Sequence, residues 1–134
     1  MTNPTPTICR IVRYRLTEHD AEQINRRRAH ARAQMQTHVA NQSGVMVHVG
    51  ANVKEGDECP MIIVRVWGST PESAVNGQVF LDGNDLFWAT SVMAGEGPGT
   101  FSWPGNRYEE GARAASHGTP RADEGTTTEP PPAK

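Results

Sequence analysis

The feature that most limits what this chain can fold into is a C-terminal stretch without large apolar side chains. Residues 104–134 contain no Val, Ile, Leu, Met, Phe or Trp. Such a stretch cannot offset the conformational entropy of folding by burying side chains. We therefore predict a disordered Pro/Gly/Thr-rich tail at residues 105–134, a disordered N-terminus at residues 1–7 and a single domain at residues 8–104.

The size of that domain and the lack of apolar runs set the expected environment. A domain of roughly 100 residues buries only about 60–68% of the surface of its unfolded chain, so we expect association between copies. No run of 18 apolar residues and no hydrophobic signal region occur. We therefore expect no membrane partner and a location in the cytoplasm.

Charge and cysteine spacing narrow the kinds of site. The net formal charge is −2, but seven arginines against three acidic residues give residues 1–38 a charge of +4. An anion site would therefore draw on the first third of the chain. Cys9 and Cys59 lack the spacing of metal ligands or of a disulfide scaffold, which predicts two buried thiols.

Hydrophobic periodicity predicts one helix and several strands. Thr17 places a hydroxyl before Asp20, as at a helix N-terminus, and the helical pattern continues for about 23 residues to a stop at residues 41–44. Alternating or continuous apolar runs predict strands at residues 8–16, 45–49, 61–67, 77–81 and 86–92. The fold class is α+β: an antiparallel sheet of about five strands with one long helix of the N-terminal half packed on it.

An arginine lies on the packing face of the predicted helix. Helical spacing puts Arg28 between Ile24 and Ala31 on the stripe that faces the sheet. An unpaired buried charge is too unfavourable to keep. Arg28 must therefore reach out to solvent, pair with a buried carboxylate or bind an anionic ligand, and the sequence leaves these three open.

Catalytic constellations are missing from the sequence. No histidine is placed beside a plausible nucleophile, and the His19-Asp20 pair is typical of a helix cap rather than of a metal site. Residues 82–85 favour a hairpin turn over a calcium loop, and residues 95–99 a mobile loop over a phosphate loop. We expect a protein that is not an enzyme and that needs no cofactor or metal.

The last third of the predicted domain is rich in aromatic residues. In strand 77–81, Phe80 shares its parity with polar Gln78, so Phe80 is expected to face away from the core. Trp88 and Thr90 share one parity of the next strand. An outward aromatic ring with a hydroxyl and arginines nearby suits a ligand that has a base and phosphates, whereas a subunit interface favours the same residue types.

Several short sequence blocks together carry a resemblance to known proteins. They are YRLTEHDA (14–21), IN (24–25), HVG (48–50), EGD (55–57), CPMI (59–62), GQVFLDGND (77–85), WATS (88–91) and GEGPGTF (95–101). With these blocks the chain resembles a family of small actinobacterial phage and prophage proteins. That family in turn is similar to the first described class of Thoeris anti-defence proteins, which bind cyclic ADP-ribose isomers made by host TIR enzymes and do not degrade them.

The resemblance implies a homo-oligomer, a hexamer built from dimers, with nucleotide pockets between protomers in the host cytoplasm. Its ligand-binding residues would correspond here to Arg28, Phe80, Thr90 and Arg107. The arginines would neutralise a diphosphate, Phe80 would stack on adenine and polar strand residues would hold ribose hydroxyls. Some members of that class also bind cyclic oligonucleotides.

Two other functions fit the sequence. A nucleic-acid-binding accessory protein would use Arg26, Arg27, Arg28 and Arg32 as a phosphate face, although the net negative charge makes nucleic acid an unfavoured partner. A phage structural or interaction module would use the Pro- and Thr-rich tail as a tether.

Overall fold

A computed structural model of the chain describes residues 3–105. It starts with strand β1 (Ile11–Arg15), and helix α1 (Glu18–Ala40) follows two residues later. The Thr17 hydroxyl accepts the backbone N–H of Asp20 at 3.0 Å, while the Asp20 carboxylate accepts the N–H of Thr17 at 3.1 Å. This reciprocal pair satisfies two N–H groups at the helix start and confirms the predicted cap.

Four further strands complete the sheet. They are β2 (Glu58–Val66), β3 (Val75–Leu81), β4 (Asp85–Ala94) and β5 (Thr100–Ser102). The pairs β1–β2, β2–β3, β3–β4 and β1–β5 are antiparallel, and β4–β5 is parallel. Because β5 pairs with both β1 and β4, the sheet closes into a five-stranded barrel. The α+β class with one helix and five strands is confirmed, but the prediction of a purely antiparallel sheet is wrong.

The parallel pair arises from a short detour of the chain. After β4 the chain turns aside through residues 95–99 and resumes in the same direction beside β4, with Met93 opposite Thr100. The N–H of Gly95 donates to the carbonyl of Phe101 at 2.9 Å, and Gly99 adopts a φ of +77° that favours glycine. The turn residues predicted a loop here, but not the direction of the strand after it.

The strand predicted at residues 45–49 is not part of the sheet. Of residues 45–49, only Val49 forms a β-bridge within the described chain, and its partner is Gly83 in the β3–β4 turn. Gly83 has a φ of +93°, as the predicted hairpin at residues 82–85 requires. Residues 45–49 run past the β3–β4 turn rather than along a strand, because His48 donates its N–H to Oδ1 of Asn84 and its carbonyl accepts the N–H of Asn84.

The core fills the inside of the barrel. Inward positions alternate along the strands, and every strand contributes at least one side chain that is less than 10% exposed. The core residues from the sheet and the segment that follows β1 are Val12, Tyr14, Leu16, Met61, Ile63, Val75, Val79, Leu81, Ala89, Val92 and Phe101.

Only the first half of α1 contacts the barrel. Asp20, Ala21, Ile24 and Arg28 are its buried residues, and Ile24 joins the core. None of residues 29–49 is buried. The prediction that the helix packs along the sheet is therefore only partly right, because a closed barrel fills its own interior and leaves the helix only a limited contact.

The predicted boundaries fall partly outside the described residues. The compact unit that contains the barrel ends at Trp103. Residues 3–7 form no helix or strand. Residues 1–2 and 106–134, to which the predicted disordered N-terminus and tail extend, lie outside the described part of the chain.

Candidate ligand-binding face

The outer surface of the β3–β4 hairpin carries a cluster of large side chains. Side chains alternate between the two faces of a strand, so the neighbours of buried positions point out of the barrel. Phe80 lies opposite Leu86, and Gln78 lies opposite Trp88. We call these four residues the aromatic face.

The rings of the aromatic face are exposed. Phe80 is 42% exposed, Trp88 45% and Leu86 49%. Within residues 3–105, neither ring stacks on another ring or beneath a cation. Phe80 and Trp88 are diagonal neighbours across the strand pair, a separation that large aromatic side chains can span. One flat ligand ring on this face can therefore contact both side chains.

The aromatic face includes one polar side chain, Gln78, and borders a second, Thr90. Gln78 lies between Ile62 of β2 and Trp88 of β4. Within the described residues, the side-chain amide of Gln78 forms no hydrogen bond. Thr90 is exposed two residues beyond Trp88, at the start of an irregularity that places Thr90 and Ser91 between the pairs Ala89–Gly77 and Val92–Val75. An amide can form hydrogen bonds to the edge of a base, and a hydroxyl can form a hydrogen bond to a sugar hydroxyl.

A cation lies one row further along the sheet. Arg65 of β2 pairs with Asn76 of β3, two residues before Gln78. Its guanidinium lies 4.0 Å from the centroid of the Trp67 ring, and no carboxylate within residues 3–105 pairs with it. Arg65 is exposed. Since no carboxylate of the described residues pairs with it, the N–H groups of Arg65 are available to bind an anion.

Arg28 is buried and directs its donors into the protein. Its guanidinium donates to the backbone carbonyls of Ala51 and Asp82, and the Asp82 bond measures 2.9 Å. Its Nε lies 3.8 Å from Oδ2 of Asp85. Arg28 is only 3% exposed. The predicted pairing with a buried carboxylate is met only in part, because Asp85 is partly exposed and Nε has no hydrogen-bond partner in residues 3–105. Arg28 ties α1 to the segment after Gly50 and to the β3–β4 turn through the two carbonyls.

A groove of about 210 Å³ opens beside Arg28. Arg27 lines it, but the Arg27 guanidinium donates to Oδ1 of Asp85 at 2.7 Å and to the carbonyl of Leu86 at 3.1 Å. An anion in this groove would have to compete with that carboxylate. The residues that line the groove are Arg27, Arg28, Ala31, Val47, His48, Val49, Gly50, Asn84 and Asp85.

The groups with shifted pKa values lie inside the barrel, away from the aromatic face. Burial, together with the Asp20 carboxylate that accepts its hydroxyl at 2.5 Å, raises the pKa of Tyr14. Partial burial and the nearby Asp57 raise the pKa of the Cys59 thiol, so Cys59 is not an activated nucleophile. The prediction of two buried thiols is wrong, because Cys9 is exposed and Cys59 is only partly buried. Within residues 3–105, no group of three or more His, Cys, Asp or Glu is arranged to hold a metal ion.

The structure brings together only part of the set implied by the resemblance. Phe80 and Thr90 are both exposed on the hairpin strands, and the exposure of Phe80 agrees with its parity in the sequence. In the described part of the chain, no hydrogen bond, ion pair or ring contact joins Arg28 to either of them. Arg107 lies outside the described residues.

Sequence reasoning missed Arg65 as a candidate binding residue and gave Gln78 no role of its own. Both lie on the predicted strands, but their relation to Phe80 depends on strand register. The signal for Gln78 was present in its shared parity with Phe80. No signal pointed to Arg65, because an irregularity in the pairing of β2 with β3 between Ile63 and Arg65 shifts its position.

Comparison with protein-family models, with curated proteins and with solved structures finds no match to this chain. Within the described residues, α1 is the only helix, and it is too polar to cross a membrane.

Proposed function

We propose that this protein captures a cyclic nucleotide immune signal, with cyclic ADP-ribose isomers as the first candidates, and holds it without degrading it. The setting would be the host cytoplasm during phage infection, and the carrier would be a homo-oligomer, a hexamer built of dimers. The observation that carries the proposal is the aromatic face, where Phe80 and Trp88 expose their rings beside the unpaired amide of Gln78.

Each part of such a ligand has a counterpart on this surface. Adenine stacks against Phe80 and Trp88, and the Gln78 amide hydrogen-bonds to its edge. The Thr90 hydroxyl reaches a ribose hydroxyl. Arg65, whose guanidinium has no carboxylate partner in the described chain, neutralises a phosphate.

Arg28 has a positioning role in this proposal. Its two terminal nitrogens donate to the carbonyls of Ala51 and Asp82, so a phosphate at these nitrogens would compete with those bonds. Its Nε is buried 3.8 Å from Asp85 and has no hydrogen-bond partner in residues 3–105. Arg28 instead holds the β3–β4 turn, which begins two residues after Phe80. Arg107 remains the second cation that the resemblance implies.

Sequestration requires high affinity for the ligand and no catalytic reactivity. A scarce signal is disarmed only by nanomolar or tighter binding, about −12 kcal/mol. Stacking contributes about 1–3 kcal/mol per base, so loss of one ring must weaken binding measurably.

The test is a ligand-release assay with a matched control. The purified full chain is mixed with cyclic ADP-ribose isomers, washed and denatured by heat, and the released nucleotide is identified by mass spectrometry. We expect intact ligand from the wild type and binding weakened about 10- to 100-fold in Phe80→Ala and Trp88→Ala. Met93→Ala removes a side chain of β4 that is 47% exposed, away from the aromatic face, and should bind normally.

Two results would overturn the proposal. One is no binding of any cyclic ADP-ribose isomer or cyclic oligonucleotide, and the other is release of a cleaved product. A phage structural module would instead be found in purified virus particles, whereas a sequestering protein is found only in infected cells.

The nucleic-acid alternative loses most of its phosphate face. Arg27, Arg28 and Arg32 donate to protein oxygens, which leaves Arg26 of the four arginines without such a bond in the described residues. A phosphate backbone would have to displace these bonds. Steep salt dependence of binding to single- or double-stranded DNA would favour this alternative.

A further inference from the structure

The second half of α1 and the segment after it lack support from the rest of the chain. Residues 29–49 include no buried position. Val39 is 73% exposed, Val45 52% and Met46 77%. Helices gain most of their stability from packing of an apolar face. We call residues 33–49 the arm, and its exposed apolar side chains indicate that another surface covers it.

The arm carries no formal charge. Residues 33–53 contain no Asp, Glu, Lys or Arg in a chain that is 21% charged. A nucleic acid or an acidic peptide needs cations opposite it, and an anionic membrane surface attracts helices with a basic polar face. Depletion of charge is instead the mark of a protein interface core. Two copies of an uncharged arm also meet without repulsion.

The backbone of the arm offers an open strand edge. The N–H of His48 donates to Oδ1 of Asn84 at 2.7 Å, and its carbonyl accepts the N–H of Asn84 at 2.9 Å. These groups of His48 face the β3–β4 turn, so those of Val47 and Val49 point to the opposite edge. Within residues 3–105, the backbone of Val47 has no hydrogen-bond partner.

The side chains beside that edge are apolar and alternate. Val45, Val47 and Val49 share one parity, and the chain runs from Ser43 to Val49 without a turn or bend. Valine has a high preference for paired strands, and valine pairs across strands stabilise a sheet. Within residues 3–105, this segment pairs with its own chain only through the bridge from Val49 to Gly83, and its opposite edge has no strand beside it.

We propose that the arm is a dimerisation element in which residues 45–49 of one chain pair antiparallel with residues 45–49 of a second copy. A two-fold axis at Val47 sets the two Val47 residues opposite each other and Val45 opposite the partner's Val49. Such an interface is self-complementary, as two-fold dimers require. The pairing satisfies the open backbone groups of Val47 and lets the exposed Val39, Val45 and Met46 pack against the copy.

The test uses ligand-free protein, so it is independent of nucleotide binding. Native mass spectrometry should give the full chain as an even multiple of 14.6 kDa. Val47→Pro removes an N–H that has no partner in the protomer but is required between copies. We expect it to reduce the particle mass at least twofold at 10 µM, whereas Val47→Ala keeps both the N–H and the wild-type mass.

Crosslinking tests the register and does not depend on the proline variant. In the Cys9→Ser background, Val47→Cys places two thiols on residues whose Cα atoms are about 5.5 Å apart, within reach of a disulfide. We expect a covalent dimer under mild oxidation that Glu72→Cys, an exposed control, does not form.

Three results would overturn the proposal. They are a monomeric wild type at 100 µM, a folded Val47→Pro with the same mass as Val47→Ala, and crosslinking of Val47→Cys no faster than of Glu72→Cys. Far-UV circular dichroism shows whether Val47→Pro is folded, and if it is not, crosslinking decides. Loss of nucleotide binding with an intact dimer would reject the proposed function alone.

Discussion

Arg28 is buried and donates to two backbone carbonyls, while its Nε has no hydrogen-bond partner in the described residues. Replacing it with Ala would leave the carbonyls of Ala51 and Asp82 without their donor and Asp85 with one cation fewer. An unsatisfied buried acceptor costs about 1–3 kcal/mol. We therefore expect Arg28→Ala to lower the free energy of unfolding by about 2–4 kcal/mol, measured by urea denaturation. Arg26→Ala, at an exposed position of the same helix, should change it little.

The Arg28→Ala variant also distinguishes a role of Arg28 in ligand binding from a role in folding. If Arg28→Ala abolished nucleotide binding while the free energy of unfolding stayed the same, Arg28 would be a ligand contact rather than the structural tie described here. The sequence predicted that Arg28 faces inward, because the helical period alone decides that. Its partners were out of reach of the sequence, since two of them are main-chain carbonyls of irregular segments.

Tyr14 gives the molecule a pH dependence in the alkaline range. Burial and the hydrogen bond to Asp20 raise the pKa of Tyr14 above the ordinary value of about 10. The folded chain therefore keeps this proton more tightly than the unfolded chain, and its contribution to stability is complete below about pH 10 and declines above it.

We expect the free energy of unfolding of the wild type to fall as the pH rises above about 10, and Tyr14→Phe to show a shallower fall. Urea titrations at several pH values measure this difference. Cys59→Ala should be the background for both proteins, because the raised pKa of the Cys59 thiol contributes a loss of the same sign. Equal slopes in the two proteins would contradict the assignment to Tyr14.

At the scale of elements, the start of α1 depends on one residue. The Thr17 hydroxyl and the Asp20 carboxylate each accept an N–H of the other residue. Thr17→Ala removes one half of this arrangement and should lower the free energy of unfolding by about 1 kcal/mol. Thr17→Ser retains the hydroxyl and should cost less in the same thermal or urea experiment. A Thr17→Ala variant as stable as the wild type would show that Asp20 alone secures the cap.

The end of α1 depends on the arm. If a second copy covers residues 33–40, their amide hydrogens exchange slowly in the wild type and faster in a folded Val47→Pro variant. Residues 22–28, which include the buried Ile24 and Arg28, should exchange at similar rates in both proteins. Hydrogen exchange followed by mass spectrometry measures both segments. Equal protection of residues 33–40 in the two proteins would exclude stabilisation of this helix end by a partner.

The elements themselves were largely predictable from the sequence. Cap residues and periodicity predicted α1 correctly, and apolar runs predicted strands where β1 to β4 lie. Residues 45–49 have the alternation of a strand but do not join the predicted sheet, because alternation does not say which chain supplies the partner. The strand around Phe101 was predicted only as the end of the ordered region, since three residues are too few for a period to show.

At the scale of the whole molecule, Phe101 holds the barrel closed. It is fully buried, lies opposite Tyr14 of β1 and Ala94 of β4, and contacts the edge of the Trp103 ring. Phe101→Ala should lower the free energy of unfolding by about 3–5 kcal/mol, the usual range for a core phenylalanine. Phe80→Ala removes the same side chain from an exposed site and should cost much less. Comparable losses in urea denaturation would mean that Phe80 belongs to the core.

The pairing of β5 with β1 brings together residues from the two ends of the described chain. Arg15 and Ser102, whose side chains meet at 3.0 Å, are 87 positions apart. The chain between these two residues must be brought together before the contact forms, and this loop closure has an entropic cost. Folds rich in contacts between distant residues therefore fold slowly. Pairing of β5 with β1 is thus expected to limit the folding rate. New termini placed at residues 41–44 would leave both β1 and β5 intact. Truncation after Ala94 would remove β5 and open the barrel.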